Sequence, residues 1–328
     1  MAETVAEQGI DLEKYRRELT GYCYRMLGSS FEAEDAVQET MVRAWRGFDR
    51  FEGRAALRSW LYRIATNVCL DMLKGRQRRA LPMDLVSSSS GDGEAGPRLP
   101  ESKWIQPIPD GRALPATEDP ADVVESRESI RVAFITALQH LPARQRAVLI
   151  LREVLRWKAS EVAELLDTSV VSVNSALQRA RATLADVDIA DSDPLMPDDV
   201  EQRALLARYV DAFERFDIES LVSLLHEDAT MSMPPYELWL QGAGELRQWL
   251  LGAGSGCRGS RFVPVAANGS PGFAQWRATP DGTFEAWAIH VLRVSDGRIS
   301  GIDFFVDPNL FQLFDLPVRL SAEAGAQR

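Results

Sequence analysis

The 328-residue sequence predicts a multidomain protein in which two all-α segments precede an α+β domain. Three observations predict it. Apolar residues recur at helical spacing over residues 11–80 and again over 120–187. Stretches rich in Ser, Gly and Pro break the chain at 82–120 and 191–199. Beyond residue 200, two helical stretches give way to alternating segments at 228–233, 237–241, 261–267, 273–279, 284–294 and 298–306, with Asp281-Gly282 and Asp296-Gly297 between such segments, a hairpin signal. The expected division is a helical domain at 11–82, an acidic flexible linker at 83–120 and a second helical domain at 121–187. A second linker follows at 188–199, then the α+β domain at 200–317 and a tail at 318–328.

Charge separates these parts. The net charge of −11 resides in residues 186–328, which carry 11 Lys/Arg and 22 Asp/Glu. Residues 1–82 and 121–185 are each +2, and 83–120 is −4. Phosphate contacts need cations, so any nucleic-acid partner belongs to the two helical parts and not to the C-terminal one. No run of about 18 apolar residues exists, and the acidic N-terminus lacks an apolar signal core, so a cytoplasmic protein is expected. Cys23, Cys69 and Cys257 form no CxxC pair and read as reduced core thiols, with no metal or cofactor implied.

In the first helical part, residues 35–46 place Val37, Met41 and Trp45 on one helical face and Asp35, Gln38, Glu39 and Arg46 on the other. A solvated face and a docking face both fit this pattern. Residues 58–79 combine Trp60 and Tyr62 with Asn67 and Asp71, then Lys74, Arg76, Arg78 and Arg79. Aromatics and amides suit an unstacked base, and cations hold phosphates. The bland alternative puts the aromatics in the core. In the second part, residues 141–184 read as a helix from Pro142, a short helix over 159–166 and a turn at 167–169 capped by Ser169 or Thr168. The last helix buries Val170, Val173, Leu177, Ala180 and Leu184. Off that stripe lie Ser172, Asn174, Ser175, Gln178, Arg179 and Arg181. This is a helix-turn-helix, whose second helix enters the DNA major groove.

These three motifs, in this order and on either side of an acidic break, resemble extracytoplasmic-function (ECF) sigma factors of the sigma-70 family. The resemblance covers residues 11–185. It implies that Asp35, Gln38, Glu39 and Arg46 bind core RNA polymerase. It also implies that Trp60, Tyr62, Asn67, Asp71, Lys74, Arg76, Arg78 and Arg79 recognise the minus-ten element and help to melt it. The off-stripe residues of the last helix would read the minus-thirty-five element in promoter DNA. Asn174 and Ala176 stand where many members carry a cation. An anti-sigma protein is a further partner that the resemblance leaves open.

Residues 200–317 resemble the SnoaL-like group of cone-shaped α+β domains, chiefly through 208–242 and 296–317. The resemblance implies a cavity, with Tyr236, Trp239, Trp249, Phe262, Trp276, Trp287, His290 and Phe304 as its lining and a small ligand as its occupant. Enzymes of that fold use a buried acid or His as base; Asp217, His226, Asp228, His290 and Asp303 are the candidates, and each has a structural role as its alternative. No catalytic residue is assigned, and His140 is given no role. The preferred function is an alternative sigma factor with a C-terminal domain that regulates it in cis. A stand-alone helix-turn-helix regulator would have no use for residues 35–79. An isomerase or cyclase with DNA-binding helices would need a buried acid–base pair in the cone.

Overall fold

The computed structural model describes residues 11–48, 51, 56–115, 119–187, 193 and 199–321. They form two compact units: residues 1–79 with 111–189, and residues 80–110 with 190–328.

The first unit is helical. α1 (Arg16–Leu27) ends where Gly28 takes φ 69°, and Ser29 then caps α2 (Ser30–Gly47) by accepting from the Glu32 N–H at 3.2 Å. This Ser-x-x-Glu start satisfies a helix-terminal N–H that water would otherwise have to serve. α3 (Leu57–Met72) packs on both. Leu19, Tyr22, Cys23, Val37, Leu61 and Cys69 make their fully buried core. The second helical part runs through α4 (Pro120–Glu128), α5 (Val132–Gln139) and α6 (Ala143–Leu149), the last extended by a π turn over Ile150–Val154. α7 (Ala159–Leu165) and α8 (Val170–Ala185) form the helix-turn-helix. Asp167 turns the corner at φ 50°, and Ser169 caps α8 by accepting from the Ser172 N–H at 3.1 Å.

Two buried arginines tie the helical parts together. Arg25 of α1 donates to the Ser129 carbonyl at 3.0 Å and to its hydroxyl at 2.7 Å. Arg146 of α6 donates to the Met26 carbonyl, to Gln139 Oε1 at 2.6 Å and to the Leu141 carbonyl at 3.1 Å. Burial pushes both guanidinium pKa values down to about 10, and both remain charged at neutral pH.

The second unit is α+β. α9 (Val200–Glu214), capped by Asp199, and α10 (Ile218–Ser223), capped by Asp217, lead into β1 (Leu225–Ser232) and β2 (Trp239–Gln241). α11 (Ala243–Leu251) follows, then β3 (Arg261–Ala267), β4 (Ser270–Ala278), β5 (Phe284–Ser295) and β6 (Arg298–Phe305). A short α12 (Leu310–Leu313) and β7 (Arg319–Leu320) end it. The sheet order is β2-β1-β6-β5-β4-β3, with β7 on β5; β1 and β6 are parallel and the other pairs antiparallel. The helices cover one face over Leu205, Phe213, Leu246, Phe273, Leu292 and Ile302. Asp296 at φ 50° and Gly297 at φ 69° make the β5–β6 turn. Asn268-Gly269, a pair the sequence reading passed over, makes the β3–β4 turn in the same way, at φ 55° and 64°.

Residues 80–110, which include most of the linker expected at 83–120, are packed into this unit. Trp104, Ile105 and Ile108 are buried. Ser89 N–H donates to the Trp239 carbonyl at 2.8 Å, the Trp239 indole to the Val86 carbonyl at 2.8 Å, and Leu99 N–H to the Pro235 carbonyl at 2.9 Å. Ile108 exchanges two hydrogen bonds with Asn268, at 3.0 and 3.1 Å, and the Asp110 carboxylate accepts from Gly269 N–H at 2.8 Å. Composition reads as linker because this strap has few apolar residues; its backbone groups find their partners on the C-terminal domain instead. No described helix is long and apolar enough to cross a membrane.

Candidate nucleic-acid interface

On α2, Asp35, Gln38, Glu39 and Arg46 are all exposed, while Ala33, Val37, Thr40 and Ala44 are buried. Trp45, placed by periodicity on the apolar face, is 40% exposed beside them. Glu39 pairs with Arg43 at 2.6 Å, an exposed i,i+4 contact worth roughly 0.3–0.5 kcal/mol. A macromolecular partner can therefore displace it at little cost.

On α3 the expected group divides. Asn67, Asp71, Lys74, Arg76 and Arg78 are exposed. Asp71 pairs with Lys74 at 2.7 Å, Arg76 with Glu32, and Arg78 donates to the His140 ring. The Lys74 hydrogen bond holds the Asp71 carboxyl below its usual range. Tyr62 is a correction: it is fully buried, edge-on to Tyr22 at 5.1 Å and against Trp157 at 5.1 Å, and cannot stack on a base. Burial raises its pKa above the ordinary tyrosine value. Arg79 is a second correction: it is 8% exposed and pairs with Glu32 at 2.9 Å. Trp60 is half-buried against Phe51 at 5.0 Å and Phe48 at 6.3 Å. It also lines a cleft of about 270 Å³ with Ser59, Arg63, Glu161 and Glu164.

On α8, Val173, Leu177 and Ala180 are buried, and Ser172, Asn174, Gln178, Arg179 and Arg181 are exposed, with Ser175 half-buried. Arg181 pairs with Glu153 at 2.7 Å, with both side chains exposed. Val170 departs from the expected stripe: it is 42% exposed. A helical side chain leans toward the N-terminus, so one in the first turn reaches past the end of its own helix.

The aromatic residues of the C-terminal domain do not line one cavity. His290, Phe262 and Phe304 come together, but with Tyr209, Phe213 and Phe273, and they fill the cone. His290 Nε2–H donates to Gln275 Oε1 at 2.8 Å, which leaves Nδ1 to accept from the Tyr209 hydroxyl at 2.9 Å. Gln275 donates onward to Ser260 at 2.8 Å. Burial pushes the His290 pKa down to about 3, and the ring is wholly enclosed. Trp276 packs edge-on to Phe311 and donates to the Pro317 carbonyl. Trp287 lies under the Arg277 guanidinium at 3.4 Å, Trp239 serves the strap, Trp249 is buried on the inner face of α11, and Tyr236 is half-buried.

The acid candidates have structural employment. Asp217 caps α10, and its hydrogen bond from Ser220 lowers its pKa. His226 donates to the Ser295 carbonyl at 3.0 Å, and Asp228 is exposed. Asp303, fully buried, pairs with Arg293 at 2.6 Å and accepts from Ser232 at 2.7 Å. The open space is elsewhere: a groove of about 610 Å³ between α9 and the β3–β4 hairpin, with Leu206, Val210, Phe262, Pro264, Pro271 and Phe273 among its lining.

Residues 12–79 match the Sigma-70 region 2 family, 131–184 the Sigma-70 region 4 family and 206–302 the SnoaL-like domain family. The chain is similar to the ECF RNA polymerase sigma factor SigG of Mycobacterium tuberculosis, at 46% identity over 93% of this chain and 82% of that one. It is similar to the ECF RNA polymerase sigma factor SigJ of the same organism, at 27% identity over 97% of each. The crystal structure of SigJ shares the fold, with a TM-score of 0.58 and 21% identity over 96% of this chain and 99% of that one.

Proposed function

The chain belongs to the ECF RNA polymerase sigma factors, and on that premise we propose that α2 docks on core RNA polymerase while α3 and α8 contact promoter DNA. The observation that carries this reading is the exposed row Asp35, Gln38 and Glu39 on a helix whose other side is wholly committed to the core. The row offers charge and amides to a basic partner surface. On α3, Asn67 reads a base of the melted minus-ten strand, and Lys74, Arg76 and Arg78, just past the helix C-terminus, hold its phosphates. The Lys74–Asp71 pair is exposed on both sides, so phosphate replaces it with little penalty. On α8, the exposed face reads the minus-thirty-five element.

The C-terminal domain regulates these contacts in cis. It carries the chain's net negative charge and holds the strap of residues 80–110, which lies in sequence between the two DNA-contacting parts. A ligand in the α9–β3/β4 groove acts on this device through differential affinity for the held and released strap. An anti-sigma protein, where one exists, competes for the same exposed faces.

The test is polymerase binding. Asp35→Lys with Glu39→Lys sets like charges against a basic partner, at a cost of several kcal/mol. In moderate salt the double variant should no longer co-purify with core polymerase, while its circular dichroism stays that of the parent. Wild-type recovery of core polymerase would overturn the assignment.

A further inference from the structure

α8 begins with two valines that no described residue covers well: Val170 is 42% and Val171 74% exposed. Among the described residues they are the only adjacent pair of large apolar side chains exposed in this way. A β-branched residue in an exposed helical turn is locally unfavourable relative to alanine, so neither helix propensity nor packing accounts for Val171. At 100° per residue, Val171, Ser175 and Gln178 fall on the side of α8 away from Val173, Leu177 and Ala180. Asn174 and Arg181 flank that outward side on one edge, and Ser172 and Arg179 on the other. No acid occurs between Val170 and Ala185. The outward face therefore runs from an apolar tip, through amides and hydroxyls, to two cations.

We propose that Val171 is a base-reading residue whose methyl groups pack on the 5-methyl of a thymine in the upstream promoter element. This rests on the reading of α8 as the DNA-contacting helix. Three arguments lead from the face to that ligand. The N-terminal residues of a recognition helix are the ones that reach base edges. Thymine's 5-methyl is the apolar group that the major groove presents, and the other edge groups are donors or acceptors. The remainder of the face matches the same partner: Asn174 and Gln178 suit an adjacent adenine edge, and Arg179 and Arg181 suit the phosphates. The stiff valine side chain loses little rotamer freedom on docking.

The experiment measures binding of the full-length chain with core polymerase to a duplex promoter located by start-site mapping. Each thymine of the upstream element is replaced singly by deoxyuridine, which removes only the 5-methyl. For the wild type, one replacement should weaken binding about fourfold, the worth of roughly 0.8 kcal/mol for one apolar carbon returned to water. For Val171→Ala, the parent DNA should bind about as weakly, and the same replacement should cost nothing more. Arg179→Ala is the control for the helix itself and should weaken upstream protection on every template. If Arg179→Ala has its effect but no deoxyuridine does, or if Val171→Ala keeps the full deoxyuridine penalty, the proposal is overturned and the helix assignment stands. If Arg179→Ala also leaves upstream protection unchanged, both fail. If Val171→Ala instead weakens core-polymerase recovery without DNA, the valine faces protein and the proposal is overturned.

Discussion

His290 and Tyr62 were both read from the sequence as groups that could face a ligand, and both are enclosed. Neither outcome was legible, because the residues that seal them are distant in the chain: Trp157 for Tyr62, and Tyr209 with Phe262 for His290. Periodicity assigns a face to a helix or strand, but it does not say what covers that face. The enclosed His290 has a measurable consequence. In the unfolded chain it takes a proton near pH 6.5, whereas the folded domain resists protonation down to about pH 3. Between those values the unfolded state binds more protons, so stability is present above pH 6.5 and is lost as pH falls. The slope approaches about 1.4 kcal/mol per pH unit. Urea midpoints followed by tryptophan fluorescence should fall between pH 7 and pH 5, and less steeply in His290→Gln. Equal slopes for the two proteins would exclude His290 as the source. Gly301 shows the converse dependence of identity on a neighbour. A Cβ there would meet Arg293 Nη2 at 2.0 Å, so a side chain would dislodge the guanidinium from its buried partner Asp303.

At the scale of elements, most of the fold was readable. Strands at 261–267, 273–279, 284–294 and 298–306 were expected, and β3 to β6 lie within three residues of those bounds. They were legible as short β-type segments, two of them followed by Asp-Gly, although only β3 keeps an alternating burial pattern. α11 was not expected: it is only nine residues long and follows β2 after a single residue, Gly242. The strap was legible only as a break in pattern, because most of its hydrogen bonds to residues 235–269 are made by its backbone groups, which leave no signature in sequence. Its anchor is Trp104, so Trp104→Ala should loosen the whole element, at the 3–5 kcal/mol typical of large-to-small core changes. Hydrogen exchange by mass spectrometry should then show amides of residues 86–110 exchanging faster in the variant, with the α1–α3 amides unchanged. Random-coil exchange of 86–110 already in the wild type would contradict the packed strap.

At the scale of the molecule, the parts divide by charge and by partner. The two helical parts, each at +2, present one acidic row, one group of exposed cations and one helix-turn-helix, and the C-terminal part carries the −11. That charge separation was legible from the sequence, and so was the order of the motifs. The chain crosses between its two compact units three times, at residues 79/80, 110/111 and 189/190. Composition suggested simple serial domains, because a chain that threads back into a later domain leaves no compositional mark. The proposed regulation in cis rests on this threading, and it matters only if the helical parts direct polymerase to promoters. The direct measurement is run-off transcription with purified core polymerase on a promoter mapped by start sites after overexpression. The full-length chain should give a discrete transcript that core polymerase alone does not make, and Asp35→Lys with Glu39→Lys should abolish it. Transcription no greater than that of core polymerase alone, across the mapped fragments, would contradict the account.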